Sequence, residues 1–78
     1  MNVMIMENKV LEIMKAVFGV EDLDRTCSQK NCEKWDSMAH LNLIVELEAV
    51  FDISIEPEEI GSMRTFDEVC EVIKKKLS

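Results

Sequence analysis

The chain has 78 residues, of which 47% are apolar and 32% charged, and its formal net charge is −7. This length predicts one small domain, residues 1–78, with little room for a deep enclosed catalytic cavity. An acidic surface repels phosphate backbones, which argues against nucleic acid and anionic membranes and favours protein partners with a basic docking face.

The first predicted element is an amphipathic helix over residues Met4–Phe18. Apolar residues recur at helical spacing, and Glu7 and Lys15 are among the charged residues of the other side. The apolar set is Met6, Val10, Ile13, Met14, Val17 and Phe18. Gly19 is a natural C-terminal stop. The apolar residues before Glu7 are too few, and lack the basic region, for a signal peptide or a membrane span.

Residues 20–35 are polar and predict a long mobile loop, which Val20 and Leu23 pin to the core. Trp35 closes the loop, and we expect it to pack against the loop. Long loops of this kind often have a function, but a plain connection between two helices explains this one equally well.

Three cysteines, Cys27, Cys32 and Cys70, form an odd set without the spacing of a disulfide scaffold. A zinc site that combines them with His40 matches no usual ligand spacing. We therefore expect a reducing compartment, the cytoplasm, and no metal site.

The second predicted helix begins at Asp36 or Ser37 and runs to about Phe51. Asp36 suits the N-cap, because its carboxylate can accept hydrogen bonds from amides of the first turn. One predicted core face consists of Leu43, Leu47, Val50 and Phe51, with Leu41 and Ile44 widening it. A partly different stripe consists of Met38, Leu41 and Val45. A helix this apolar either packs on two neighbours or keeps apolar surface for a partner.

An extended connector follows, and its alternation predicts that Ile53 and Ile55 point inward. Pro57 suits the first position of a short helix that ends near Gly61.

The last predicted helix starts with a capping box, Thr65 to Glu68, and ends with lysines at 74–76. These lysines complement the helix dipole, and we expect them to be solvated. The elements together predict an all-α fold, a small antiparallel bundle of three main helices plus one short helix.

Ser37, at the start of the second helix, has three interpretations. It is a simple helix-starting residue, a hydrolase nucleophile with His40 on the same helix face, or the attachment point of a phosphate-type group. A small bundle offers little to build an oxyanion hole, and we expect His40 at the surface. An attachment serine needs no base of its own, because the modifying enzyme supplies it.

The stretch from Asp36 to Ile60, "DSMAHLNLIVELEAVFDISIEPEEI", resembles the acyl carrier protein family, whose Asp-Ser-Leu (or Met) motif opens the second helix. The likeness continues through the short third helix into "RTFDEVCEVI", and the total length fits a free-standing carrier. Only pattern, length and Gly19-Val20 agree in the first helix.

The resemblance implies that Ser37 bears 4′-phosphopantetheine, derived from coenzyme A and added by a holo-carrier synthase (a phosphopantetheinyl transferase). The arm would hold an acyl group as a thioester, and the chain itself would not be an enzyme. Expected partners are acyl ligases, acyltransferases or synthases with basic faces, and we expect a monomer without stable membrane insertion. The implied docking residues are Met38, Leu41, Val45, Glu46, Glu48, Asp52, Glu58 and Glu59.

The chain departs from the housekeeping fatty-acid carriers around the motif. Those usually have a Gly two residues before the Asp-Ser pair and acidic residues at the positions of Ala39 and Asn42. These departures predict a specialised carrier. An aminoacyl (D-alanyl-type or peptidyl) carrier and an unmodified helical interaction module remain alternatives.

Overall fold

The computed structural model describes residues 2–78, and within them the regular elements are helices. Helix α1 spans Val3–Phe18, α2 spans Ser37–Phe51, α3 spans Pro57–Ser62 and α4 spans Phe66–Leu77. The predicted all-α fold, with three main helices and one short helix, is therefore confirmed. None of the helices within residues 2–78 has the length and apolar character that crossing a bilayer requires.

Helix α1 lies at the centre of the packing and contacts both α2 and α4. It begins one residue earlier than predicted, because the Asn2 side chain accepts a hydrogen bond from the Met4 amide at 2.8 Å. It ends as predicted at Gly19, whose φ of 68° suits a residue without a Cβ. Ile5 lies near Val50 at one end of the α1/α2 pair, so the two helices run antiparallel.

One continuous core joins the helices and the long loop. Its buried apolar residues are Met6, Val10, Met14, Phe18, Cys27, Trp35, Leu43, Ile44, Leu47, Phe51, Ile55, Met63, Phe66, Val69, Cys70 and Ile73. Val50 does not belong to this core: it is 47% exposed, so its predicted inward position is wrong. The buried stripe of α2 follows Leu43, Leu47 and Phe51, and Val50 falls on its flank beside the surface of α1.

The loop over residues 20–36 contains several internal hydrogen bonds and contacts the core. The Asp24 carboxylate accepts from the Thr26 hydroxyl and from the Thr26 amide, and these two hydrogen bonds, the hydroxyl's first, lower the pKa of the Asp24 carboxyl. Cys27 is buried in the core, while Val20 and Leu23 are half-buried as predicted. These contacts pair polar groups of a segment that packs partly against the core.

A short antiparallel backbone pairing fastens this loop to the segment between α3 and α4. The Gln29 amide donates to the Arg64 carbonyl at 2.9 Å, and the Phe66 amide donates to the Cys27 carbonyl at 3.0 Å. Arg25 adds an ion pair with Glu7 of α1. The loop therefore holds the α1 and α4 ends of the bundle together.

The start of α4 matches half of the predicted capping box. The Thr65 hydroxyl accepts from the Glu68 amide at 3.1 Å, as predicted. The Glu68 carboxylate accepts from the Arg64 amide at 3.2 Å, one residue before the N-cap. Glu68 therefore bonds to the connection between α3 and α4, one residue before the N-cap Thr65.

Candidate functional site: the start of helix α2

Ser37 is the first residue of α2, and it is exposed. Asp36 caps the helix as predicted, because its Oδ1 accepts from the Ala39 amide at 2.9 Å. The His40 amide donates to the Asp36 carbonyl at 2.9 Å and closes the first turn. The amides of Ser37 and Met38 have no acceptor within the helix, so the serine stands at the positive end of the α2 dipole.

His40 is buried, only 8% exposed, and the prediction that it lies at the surface is wrong. Its Nδ1 lies 2.9 Å from Trp35 Nε1, and its Nε2 lies 2.8 Å from the Ile60 carbonyl oxygen. Because both ring nitrogens are engaged by these partners, His40 is not available to take the proton of Ser37. This geometry contradicts the interpretation of Ser37 and His40 as a nucleophile and its base.

Trp35 is 3% exposed, so it packs as expected, but its aromatic partners lie on α1 and α2 and not in the loop. Its main aromatic neighbour is Phe18, the last residue of α1, with ring centroids 5.3 Å apart. The pairing of Trp35 with His40 was not predicted. A sequence signal for it exists: the two residues occupy the positions just before the N-cap and four after it, which often pack together at helix starts.

The outer stripe of α2, defined here as Met38, Leu41 and Val45, is exposed by 71%, 56% and 62% respectively. The three residues are spaced by three and four along the helix, so they form one apolar strip that begins next to Ser37. Scattered single apolar residues are ordinary on a surface, whereas contiguous strips mark contact sites.

The predicted docking carboxylates divide into two groups. Glu46, Asp52 and Glu58 are exposed. Glu48 is half-buried, and its Oε2 accepts from the Ile55 amide at 2.8 Å. Glu48 therefore fixes the connector after α2. Its carboxylate is less accessible to a partner than the exposed carboxylates are.

Glu59 is likewise engaged within the fold. Its carboxylate lies 2.8 Å from Lys76 Nζ and accepts from the Glu56 amide at 2.9 Å. The hydrogen bond with Lys76 lowers the pKa of the Glu59 carboxyl and raises that of the Lys76 ammonium. Lys74 and Lys75 are exposed as predicted, but Lys76 is half-buried and connects α4 to α3.

Two of the three cysteines, Cys27 and Cys70, are buried. Burial raises the pKa of the Cys27 thiol to about 11 and that of the Cys70 thiol to about 12. Both thiols therefore stay protonated at neutral pH, and a protonated thiol is a poor nucleophile and metal ligand.

Comparison with known proteins gives two sets of results. No protein-family model matches the chain, and no curated protein matches it by sequence. Solved structures do match. The solution NMR structure of holo acyl carrier protein from Geobacter metallireducens is similar with a TM-score of 0.82 and 27% sequence identity, over 91% of this chain and 84% of that one.

The crystal structure of acyl carrier protein from Thermotoga maritima is similar with a TM-score of 0.74 and 29% identity. This match covers 90% of the present chain and 84% of the other. Both matches extend over nearly the whole chain, so they reach beyond the segment that carried the resemblance in the sequence. Taken with the serine that follows the N-cap of α2, they show that the chain has the acyl carrier protein fold, and they support the resemblance seen in the sequence.

Proposed function

We propose that the chain is an acyl carrier that holds its cargo as a thioester on a 4′-phosphopantetheine arm attached to Ser37. The observation that carries this proposal is the exposed Ser37 hydroxyl at a capped helix start, within a fold similar to that of carriers. Unpaired amides and the helix dipole favour the negative charge of a phosphodiester at this position.

The attachment step requires little from the chain itself. The Ser37 oxygen attacks the phosphorus of coenzyme A that bears the pantetheine, and a phosphodiester forms as the bond to the departing adenosine 3′,5′-bisphosphate breaks. The serine proton passes to a base of the transferase, because His40 is engaged elsewhere. What Ser37 contributes is exposure and a fixed backbone position.

The docking surface in this proposal is the outer stripe of α2 with the exposed carboxylates Glu46, Asp52 and Glu58 beside it. The apolar residues supply the buried centre of a contact, and the carboxylates steer a basic partner toward it. No Lys or Arg interrupts residues 36–59. Glu48 and Glu59 belong to the same acidic stretch and contribute to its field, but their hydrogen bonds hold them within the fold.

The specialised role remains part of the proposal. The first turn of α2 contains no acidic residue, unlike the housekeeping carriers described above. A dedicated ligase or acyltransferase in specialised acyl metabolism fits such a surface, with fatty-acid or polyketide synthesis as the broader setting. We place the chain in the cytoplasm, where its three unpaired cysteines stay reduced.

Incubation with a broad-specificity phosphopantetheinyl transferase and coenzyme A tests the proposal. We expect the intact mass to rise by one phosphopantetheine, and we expect no rise for Ser37→Ala. The matched control is Ser54→Ala, which removes an exposed hydroxyl from the connector after α2 and leaves the modification intact. An unmodified wild-type chain, or a gain that survives Ser37→Ala, rules the proposal out.

A second candidate function, an unmodified interaction module, is favoured by the exposure of the outer stripe of α2 alone. It predicts that partner binding is unaffected by Ser37→Ala. An aminoacyl carrier shares the modification with the main proposal and differs in its cargo, so loading assays of the modified chain with acyl and aminoacyl ligases distinguish the two.

A further inference from the structure

A buried polar contact spans the start of α2. The Trp35 indole Nε1–H donates to His40 Nδ1 at 2.9 Å, and both side chains are buried. Asp36 is the N-cap between them, so Trp35 directly precedes the cap and His40 is the fourth helical residue. Apolar residues in these two positions fix the angle at which a chain enters a helix. Here the pair is joined by a directional hydrogen bond as well as by packing.

The same imidazole bonds to a second element. Because Nδ1 accepts from Trp35, the ring proton of the neutral imidazole is on Nε2. Nε2 therefore donates to the Ile60 carbonyl of α3 at 2.8 Å. A single buried histidine thus connects the segment before α2, α2 itself and α3.

The hydrogen bond between Trp35 and His40 links residues on either side of the exposed Ser37. Trp35 and His40 are bonded across the start of the helix, and inside this span Asp36 is bonded to the Ala39 amide at 2.9 Å. The backbone on both sides of Ser37 is therefore held by hydrogen bonds whose partners are its near neighbours. A serine on such a frame has a fixed backbone, so the direction of its Cα–Cβ bond is set by the hydrogen bonds of its neighbours.

The contact with Ile60 matters because α3 is short and packs on the core mainly through Ile60 itself. The helix has six residues, and none of them is fully buried. Glu59 supplies a second attachment through Lys76 of α4. The His40–Ile60 hydrogen bond is therefore the direct polar link between α2 and α3, beside the packing of Ile60 against the core.

We propose that Trp35 and His40 are positioning residues of the carrier site, with a separate task for each hydrogen bond of the imidazole. The Trp35–His40 bond orients Ser37 for the attachment reaction, and the His40–Ile60 bond sets the position of α3. The first task rests on the proposed function, whereas the second concerns the fold and does not.

Two substitutions separate the bonds. His40→Asn places an oxygen near the position of Nδ1, so it keeps the acceptor for Trp35 but is too short to reach Ile60. His40→Gln places an amide nitrogen near the position of Nε2, so it keeps the donor to Ile60 and loses the bond to Trp35. Trp35→Phe provides an independent second test, since it removes the indole donor and leaves the imidazole in place.

The first readout is the kinetics of phosphopantetheine transfer with the carrier as the varied substrate. We expect His40→Gln and Trp35→Phe to lower kcat on the order of tenfold, the scale of one hydrogen bond, with KM little changed. We expect His40→Asn to keep the wild-type kcat. The second readout is amide hydrogen exchange in α3, which we expect to accelerate on the order of tenfold in His40→Asn and to stay slow in His40→Gln.

Ile73→Val in the core of α4 is the control for a purely structural role, because it lowers stability away from the site. The proposal is overturned if kcat follows global stability across all variants, Ile73→Val included, or if His40→Asn and His40→Gln behave alike. If the wild-type chain accepts no phosphopantetheine, the proposed function fails instead. The exchange measurement then still decides the role of His40 in placing α3: unchanged exchange in His40→Asn contradicts it.

Discussion

The two faces of α2 are both apolar but have opposite surroundings. On the inner face, Leu43 and Leu47 are completely buried against the bundle. On the outer face, Met38, Leu41 and Val45 are each more than half exposed. The inner residues account for folding, since burying such side chains is the main favourable term. The outer residues contribute little to that term, and the docking surface proposed above assigns them to contact with another molecule.

Leu47→Ala is the strongest way to test the inner face. Leu47 is fully buried, so the change leaves a cavity among tightly packed neighbours. We expect it to lower the free energy of unfolding by about 2–5 kcal/mol. Urea unfolding followed by circular dichroism measures this loss, and a loss below that of an exposed substitution would contradict the assignment of the core.

The outer face should respond in the opposite way. We expect the pair of changes Met38→Ala and Val45→Ala to leave the free energy of unfolding within about 0.5 kcal/mol of wild type per substitution. The same variant should lose on the order of tenfold in kcat/KM with an enzyme that loads or modifies the carrier, mostly through KM. Val50→Ala is the matched control, as an exposed valine of α2 outside the stripe. Equal losses in the control would show that the stripe has no special role.

Charge beside the outer stripe gives a smaller effect that depends on salt. Glu46→Lys reverses an exposed carboxylate of α2, and we expect it to slow association with a basic partner roughly threefold to tenfold at low salt. Raising the ionic strength should shrink the difference, because exposed charges are screened. Glu21→Lys makes the same charge change outside residues 36–59. If both charge reversals slow association equally, the net charge of the chain, and not the position of Glu46, determines the association rate.

The smallest expected effect concerns Glu59, whose carboxylate forms an ion pair with Lys76 within the fold. The pKa of the Glu59 carboxyl is lowered from its ordinary 4.5 by Lys76, so the stability it contributes is present above that pH. That stability is lost as the pH falls through the lowered pKa. We expect Glu59→Gln to reduce the dependence of unfolding on acid, and Glu58→Gln, an exposed neighbour, to leave it as in wild type. Thermal melts at neutral and acidic pH measure the difference.

Local sequence patterns predicted the helix boundaries closely because the residues that start and stop helices act on their own neighbours. Asp36 and Gly19 each act within one turn, so the backbone near them decides their roles. The exposed position of Ser37 followed from the same local rule together with the family motif.

The features that sequence did not predict depend on partners distant along the chain. His40 is buried because the Ile60 carbonyl, twenty residues later, and the Trp35 indole satisfy its nitrogens. Lys76 is half-buried because α3 places Glu59 within ion-pair distance of it. A periodic pattern cannot distinguish such residues from solvated ones, because they become buried only after the helices pack.

The most direct test of the account is the intact mass of the protein purified from its native host, followed by mapping of the modified peptide. We expect the mass of the chain plus phosphopantetheine and an acyl group, with the modification on the peptide that contains Ser37. Neutral hydroxylamine should release the acyl group and leave the arm, as it does for a thioester. An unmodified chain, or a modification on any other residue, would contradict the central claim that Ser37 is the attachment point of the carrier.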